Sequence, residues 1–111
     1  MNGRAIFSHA VRTMSESLIE SLTSNGKELK DLELAFFHQA NRRISEAIGK
    51  NLELDDSLIH STVEIYGNTT SATIPIGLDD AVRNGKLKQG MLISNVAFGS
   101  GFTWGHSLIR Y

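Results

Sequence analysis

Three short stretches of this chain hold groups whose chemistry reaches beyond packing. In His38-Gln39-Ala40-Asn41 an imidazole directly follows the apolar run Leu32-Glu33-Leu34-Ala35-Phe36-Phe37. That run reads as a buried strand, and the carboxyl ends of strands in α/β folds open toward ligand crevices. In Gly67-Asn68-Thr69 an amide side chain sits where the backbone bends sharply; it cannot titrate, so it can act only through hydrogen bonds. In Phe98-Gly99-Ser100-Gly101-Phe102 the glycines let backbone approach a ligand and expose N–H groups. Each stretch also has a plain structural alternative: a satisfied core histidine, a turn or N-cap residue, and a hairpin turn. The glycine stretch is not a phosphate loop, because it lacks the following helix and the lysine.

The elements around these stretches follow from periodicity. Phe7, Val11, Met14, Leu18 and Leu22 recur at spacings of three and four, which predicts a helix ending at Asn25-Gly26. A second helix is expected to start near Gln39 or Asn41, with Ile44, Ala47 and Ile48 inward, and to weaken at Gly49 and Asn51. Residues 59–65 read as a short strand and Gly67-Asn68 as a turn. Residues 69–83 read as a helix, with Ala72, Ile76, Leu78 and Val82 inward, Pro75 tolerable only in the first turns, and a stop at Asn84-Gly85. Residues 91–98 and 102–111 form an antiparallel hairpin, with Trp104 assigned to the core. The order α-β-α-β-α-β-β is that of a layered α/β unit.

Composition narrows the function. The chain has 111 residues, enough for one domain with a small core. Eleven Lys and Arg against twelve Asp and Glu give a net charge of −1, which offers no reason to expect nucleic-acid binding. No apolar run reaches membrane-spanning length and none resembles a signal peptide, so a cytoplasmic location is expected. There is no cysteine, which removes disulfides, thiolate metal sites and a cysteine nucleophile from this chain. His9, His60 and His106 are isolated and read as surface or packing residues, so no metal site is expected. Arg42 and Arg43 form a local basic pair beside His38, suited either to solvent or to a phosphate or acidic partner.

Taken together, the stretches resemble a known family. His38-Gln39-Ala40-Asn41-Arg42-Arg43-Ile44 is similar to the His-Gln-Ala-Asn-x-Arg-Ile motif of the ketoacyl-acyl-carrier-protein synthase III family. Gly67-Asn68-Thr69-Thr70-Ser71-Ala72 with Ile74-Pro75 resembles its Gly-Asn-Thr-Ser-Ala helix start, and residues 98–105 resemble its closing glycine-rich hairpin. The three occur in family order across nearly the whole chain. Two departures stand out: Arg42 adds a second arginine, and Ser100 replaces a common glycine.

The resemblance implies an α/β, thiolase-like fold of which residues 1–111 are a partial C-terminal half, with layered helices and a mixed sheet ending in an antiparallel hairpin. It implies decarboxylative condensation of an acyl thioester with malonyl carrier protein, acyl-CoA as the acyl donor, and no cofactor. His38 and Asn68 match the family's catalytic His and Asn, donors to the enolate oxygen. The Ser100 backbone N–H matches part of a second oxyanion hole, Arg43 with Arg42 the site that docks acyl carrier protein, and Asn41 a position near the pantetheine arm. The family's nucleophilic Cys lies in the other half, so this chain alone is expected to be inactive. A homo-oligomer without nucleic-acid or membrane partners is expected, and the isolated chain is expected to associate, through its apolar strand runs 34–37 and 91–98 if these lack neighbours. A sister condensing enzyme with other substrates, or a non-catalytic module that binds carrier protein or serves assembly, remain alternatives.

Overall fold

The computed structural model describes residues 3–38, 42–68, 72–99 and 103–111. Helix α1 runs over Gly3–Thr23 and buries Ala10, Met14, Leu18 and Leu22, four residues one turn apart. It ends as the Asn25-Gly26 pair predicts. Gly26 takes φ +68, the Lys27 N–H donates to Leu22 O at 2.9 Å, and the Gly26 N–H donates to Thr23 O at 3.1 Å. This is the reciprocal pair of bonds that satisfies terminal carbonyls when a left-handed residue follows a helix. Strand β1 (Leu34–Phe37) follows, then α2 (Arg42–Asn51).

The run at 59–65 does not form a full strand. Strand β2 is only Ile59–His60, and a one-turn helix, α3 (Val63–Tyr66), replaces the rest. The cause is local: Thr62 O accepts from the N–H groups of both Ile65 and Tyr66, at 3.1 and 2.9 Å, and turns the chain out of the sheet. Helix α4 covers Thr73–Arg83, with Ala72 at its N-cap and Pro75 in the first turn, where a missing N–H costs nothing. It closes at Gly85, φ +80, with the same pair of terminal bonds as α1. Strands β3 (Leu92–Gly99) and β4 (Thr103–Arg110) form the expected antiparallel hairpin.

The sheet order is β2-β1-β3-β4, with β1 parallel to both neighbours and β4 antiparallel to β3. One face packs against α1 and α2 through Met14, Leu18, Leu22, Ala35, Phe37, Ile48, Leu92 and Val96. On the other, Leu34, Phe36 and Ile93 meet Ala81 of α4 and Leu87. Because both faces are covered, all four residues of β1 are buried, as are the first five of β3. Of the two runs that would be exposed without neighbours, 34–37 is thus fully covered, and 91–98 is covered over residues 92–96 with Met91, Ala97 and Phe98 half-buried.

Three inward assignments need correction. In α2, Ile48 is buried and Ile44 packs half-buried against the same core as expected, but Ala47 is only half-buried, and Ser45 and Gly49 complete the inner face. Gly49 is no mere weak point: a Cβ there would stand 2.9 Å from Ile59 Cδ1, so its absence lets α2 approach β2. In α4 the buried residues are Thr73, Gly77 and Ala81; Leu78 packs half-buried against the core as expected, while Ile76 is half-buried and Ala72 and Val82 are exposed. Small side chains allow close packing, so the most apolar residues do not mark the inner face. Trp104 is not core; it is 54% exposed on the edge strand β4.

Candidate active site

His38 is the first residue beyond β1, and its position is set by the sheet. Its N–H donates to Val96 O at 2.9 Å, extending the β1–β3 ladder by one bond and fixing the Cα where the strand ends. The imidazole is half-buried, and its Nδ1 lies 3.4 Å from Oγ1 of Thr73 in the first turn of α4. Asn68 belongs to the segment joining β2 to α4 and is exposed, immediately after Gly67 at φ +68. Because β1 and β2 are parallel neighbours, the segments that leave them begin at the same end of the two strands. Both candidate donors belong to those segments.

The two arginines differ. Arg42 Nε donates to Glu46 Oε1 at 2.8 Å, one helical turn on, so its charge has a local counter-charge. The Arg43 guanidinium lies 5.5 Å from the centroid of the Phe7 ring of α1. Such stacking uses the face of the group and leaves its N–H edges available. Both side chains are exposed. Asn41 and Ser100 lie outside the described residues, so the pantetheine-side and second oxyanion-hole assignments have no geometry here.

Two relationships escaped sequence reasoning. His60 is buried and its Nε2 lies 2.9 Å from Asp80 Oδ2, joining β2 to α4. Thr73 is the other. The available signal was the spacing of Thr73, Gly77 and Ala81 at i, i+4 and i+8, a small-residue stripe outranked by bulkier neighbours. Of the other histidines, His106 Nδ1 is 2.8 Å from Ser17 Oγ and His9 packs edge-on against Phe98. Among the described residues no three His, Asp or Glu cluster as a metal site, and no helix is long and apolar enough to cross a membrane. A groove of about 460 Å³ beside α1 is lined by Arg12, Ser15, Glu16 and Asn51, among others. None of the candidate site residues lines it.

Residues 22–111 match the family model described as 3-oxoacyl-[acyl-carrier-protein] synthase III C terminal. Over all 111 residues the chain is 45% identical to a β-ketoacyl-[acyl-carrier-protein] synthase III of Xanthomonas euvesicatoria and 47% identical to one of Alkalilimnicola ehrlichii. In both cases it covers 34% of the relative, so it spans about a third of the length of the curated proteins it matches. A crystal structure of the 3-oxoacyl-[acyl-carrier-protein] synthase III of Aquifex aeolicus superposes with a TM-score of 0.95 at 41% identity, over 100% of this chain and 36% of that one. The architecture is thus the thiolase-like α/β arrangement, with its mixed sheet and closing hairpin. The chain belongs to the 3-oxoacyl-[acyl-carrier-protein] synthase III family and corresponds to the family's C-terminal part.

Proposed function

We propose that residues 1–111 act as one C-terminal unit of a condensing enzyme that joins an acyl thioester to malonyl carrier protein at the start of fatty-acid or related polyketide chains. The acyl group rests on a cysteine supplied by the part of the enzyme outside this chain. The malonyl carboxylate leaves as CO2, and its bonding electrons pass into an enolate. The enolate carbon attacks the acyl carbonyl, a C–C bond forms, and the cysteine thiolate leaves. During decarboxylation negative charge develops on the malonyl thioester oxygen. What that oxygen needs is fixed N–H donors in a site shielded from water. His38 through a ring N–H and Asn68 through its amide supply them. The Ser100 N–H serves the tetrahedral intermediate on the cysteine, and Asn41 stands beside the pantetheine arm. Arg43, with Arg42, docks the acidic carrier protein; Arg43 is the stronger of the two because Glu46 offsets Arg42. The enzyme works in the cytoplasm as a homo-oligomer.

One observation carries the reading: in a chain of this family, His38 and Asn68 belong to the segments leaving the same end of two parallel neighbouring strands. The test is half-reaction kinetics. Purified alone, the chain is expected to show no condensation, since it has no cysteine to hold the acyl group. In the complete enzyme, His38→Ala and Asn68→Ala should each slow malonyl decarboxylation by about 10²–10³-fold. Acylation of the cysteine should stay near normal in both. A variant that decarboxylates normally but fails to acylate would overturn the assigned roles.

A further inference from the structure

Helix α4 meets the sheet through three successive contacts, one per turn of its inner face. At its start, Thr73 Oγ1 stands 3.4 Å from His38 Nδ1. One turn on, Gly77 lies so close to β1 that a Cβ would sit 3.2 Å from Phe36 Cδ1. A turn later, Asp80 Oδ2 is 2.9 Å from His60 Nε2, and the His60 ring tilts against Phe36 at 5.5 Å between centroids. Gly77 sets the distance of α4 from β1, and the His60–Asp80 pair fixes its register along β2. The position of Thr73 is thereby fixed from below.

We infer that Thr73 is a positioning residue for His38: its hydroxyl donates to Nδ1, which holds the neutral imidazole with its proton on Nε2. This rests on the role of His38 proposed above. A neutral histidine has one donor and one acceptor nitrogen, and the partner of one decides what the other can do. If Nδ1 accepts from Thr73, Nε2–H becomes the donor available to a thioester oxygen. Among the described residues Nε2 has no partner of its own. Thr73 is 3% exposed, and its branched Cβ limits it to few rotamers, so its hydroxyl is held in place beside Nδ1. The 3.4 Å separation is long, as contacts of catalytic histidines often are before substrate draws them tight.

The experiment compares Thr73→Val, Thr73→Ala, Thr73→Ser and His38→Ala in the complete enzyme. Loss of one ordinary hydrogen bond corresponds to about a three- to tenfold fall in rate. The expected result is that fall in kcat for malonyl decarboxylation in the Val and Ala variants, with KM for malonyl carrier protein and cysteine acylation unchanged. The Ser variant, which keeps the hydroxyl, restores the rate. In 15N spectra the His38 ring, assigned by loss of its signal in His38→Ala, should be the Nε2–H tautomer, and should lose that preference in the Val and Ala variants. The Ala variant adds no methyl at Oγ1, so it stands in if the Val variant fails to fold. Normal decarboxylation in His38→Ala would overturn the role of His38 and this inference with it. A crippled His38→Ala beside unaffected Val and Ala variants, a Ser variant as slow as Ala, or an Nδ1–H tautomer in the unaltered enzyme would overturn the role of Thr73 alone.

Discussion

Strands β1 and β4 flank β3 in one sheet, yet their fates differ. All four residues of β1 are buried, whereas seven of the eight in β4 are exposed and only Leu108 is half-buried. The contrast does not come from residue type, since β4 contains Trp104, Leu108 and Ile109. It comes from cover. Each face of β1 is packed by a helix layer, and each edge by a parallel neighbour. Among the described residues the only strand partner of β4 is β3, and register alone does not protect it: Ile93 is 1% exposed while Ile109, directly opposite, is 40% exposed. Strand propensity reflects fit to a half-buried surface, and what covers that surface is decided elsewhere in the chain.

The largest expected effect tests this contrast directly. Phe36 is 1% exposed, stacks near His60 and bears on Gly77, so Phe36→Ala should cost about 3–5 kcal/mol in urea unfolding. Trp104 is the larger side chain, but only part of its ring loses burial on truncation. Trp104→Ala should cost about 1–2 kcal/mol in this chain. Comparable losses at the two positions would break the comparison, because they would mean that β4 is covered as fully as β1. Repeating the Trp104 measurement in the complete enzyme sharpens it. A clearly larger cost there would identify β4 as a surface that the rest of the protein covers.

The same distinction separates what was legible in the sequence from what was not. Helix ends were legible, because Asn25-Gly26 and Asn84-Gly85 are local chemistry: a glycine at positive φ closes the terminal bonds whatever the tertiary setting. The β3–β4 hairpin and the placement of His38 at a strand end were legible for a similar reason, as apolar runs bounded by turn signals. The family motifs marked His38, Asn68 and Arg43 as candidates, but not their surroundings. The inner face of α4 was illegible, because Thr73, Gly77 and Ala81 are inward for being small, and apolar ranking favoured Val82 and Ala72. Burial of His60 depends on a carboxylate twenty residues away. The exposure of Trp104 depends on how far helix cover extends over the sheet. These are properties of packing between distant segments, and periodicity within one segment does not encode them.

The smallest effect concerns the sheet's other edge, where β2 is only two residues long. The chain enters β2 through a 3-10 turn, Asp56–Leu58, with Asp55 at its N-cap. The Asp55 carboxylate accepts the Ser57 N–H at 2.9 Å. Hydrogen bonds from the Ser57 backbone, and then from its side chain, hold the Asp55 carboxyl below the ordinary aspartate value of 3.8. A carboxyl with a lowered folded pKa favours folding in its ionised form. Its contribution is present above the unfolded value and disappears as pH falls through the folded one. The group is fully exposed, so the effect is slight and confined to the acid limb of a stability–pH profile. Asparagine also caps such turns but carries no charge. Asp55→Asn should therefore flatten that limb and leave neutral-pH stability nearly unchanged, whereas Asp55→Ala should lower stability across the whole range. An unaltered acid limb in Asp55→Asn would mean that charge at this cap adds nothing to the neutral hydrogen bond. The entry to the short edge strand would then be held by the cap's hydrogen bond without help from its charge.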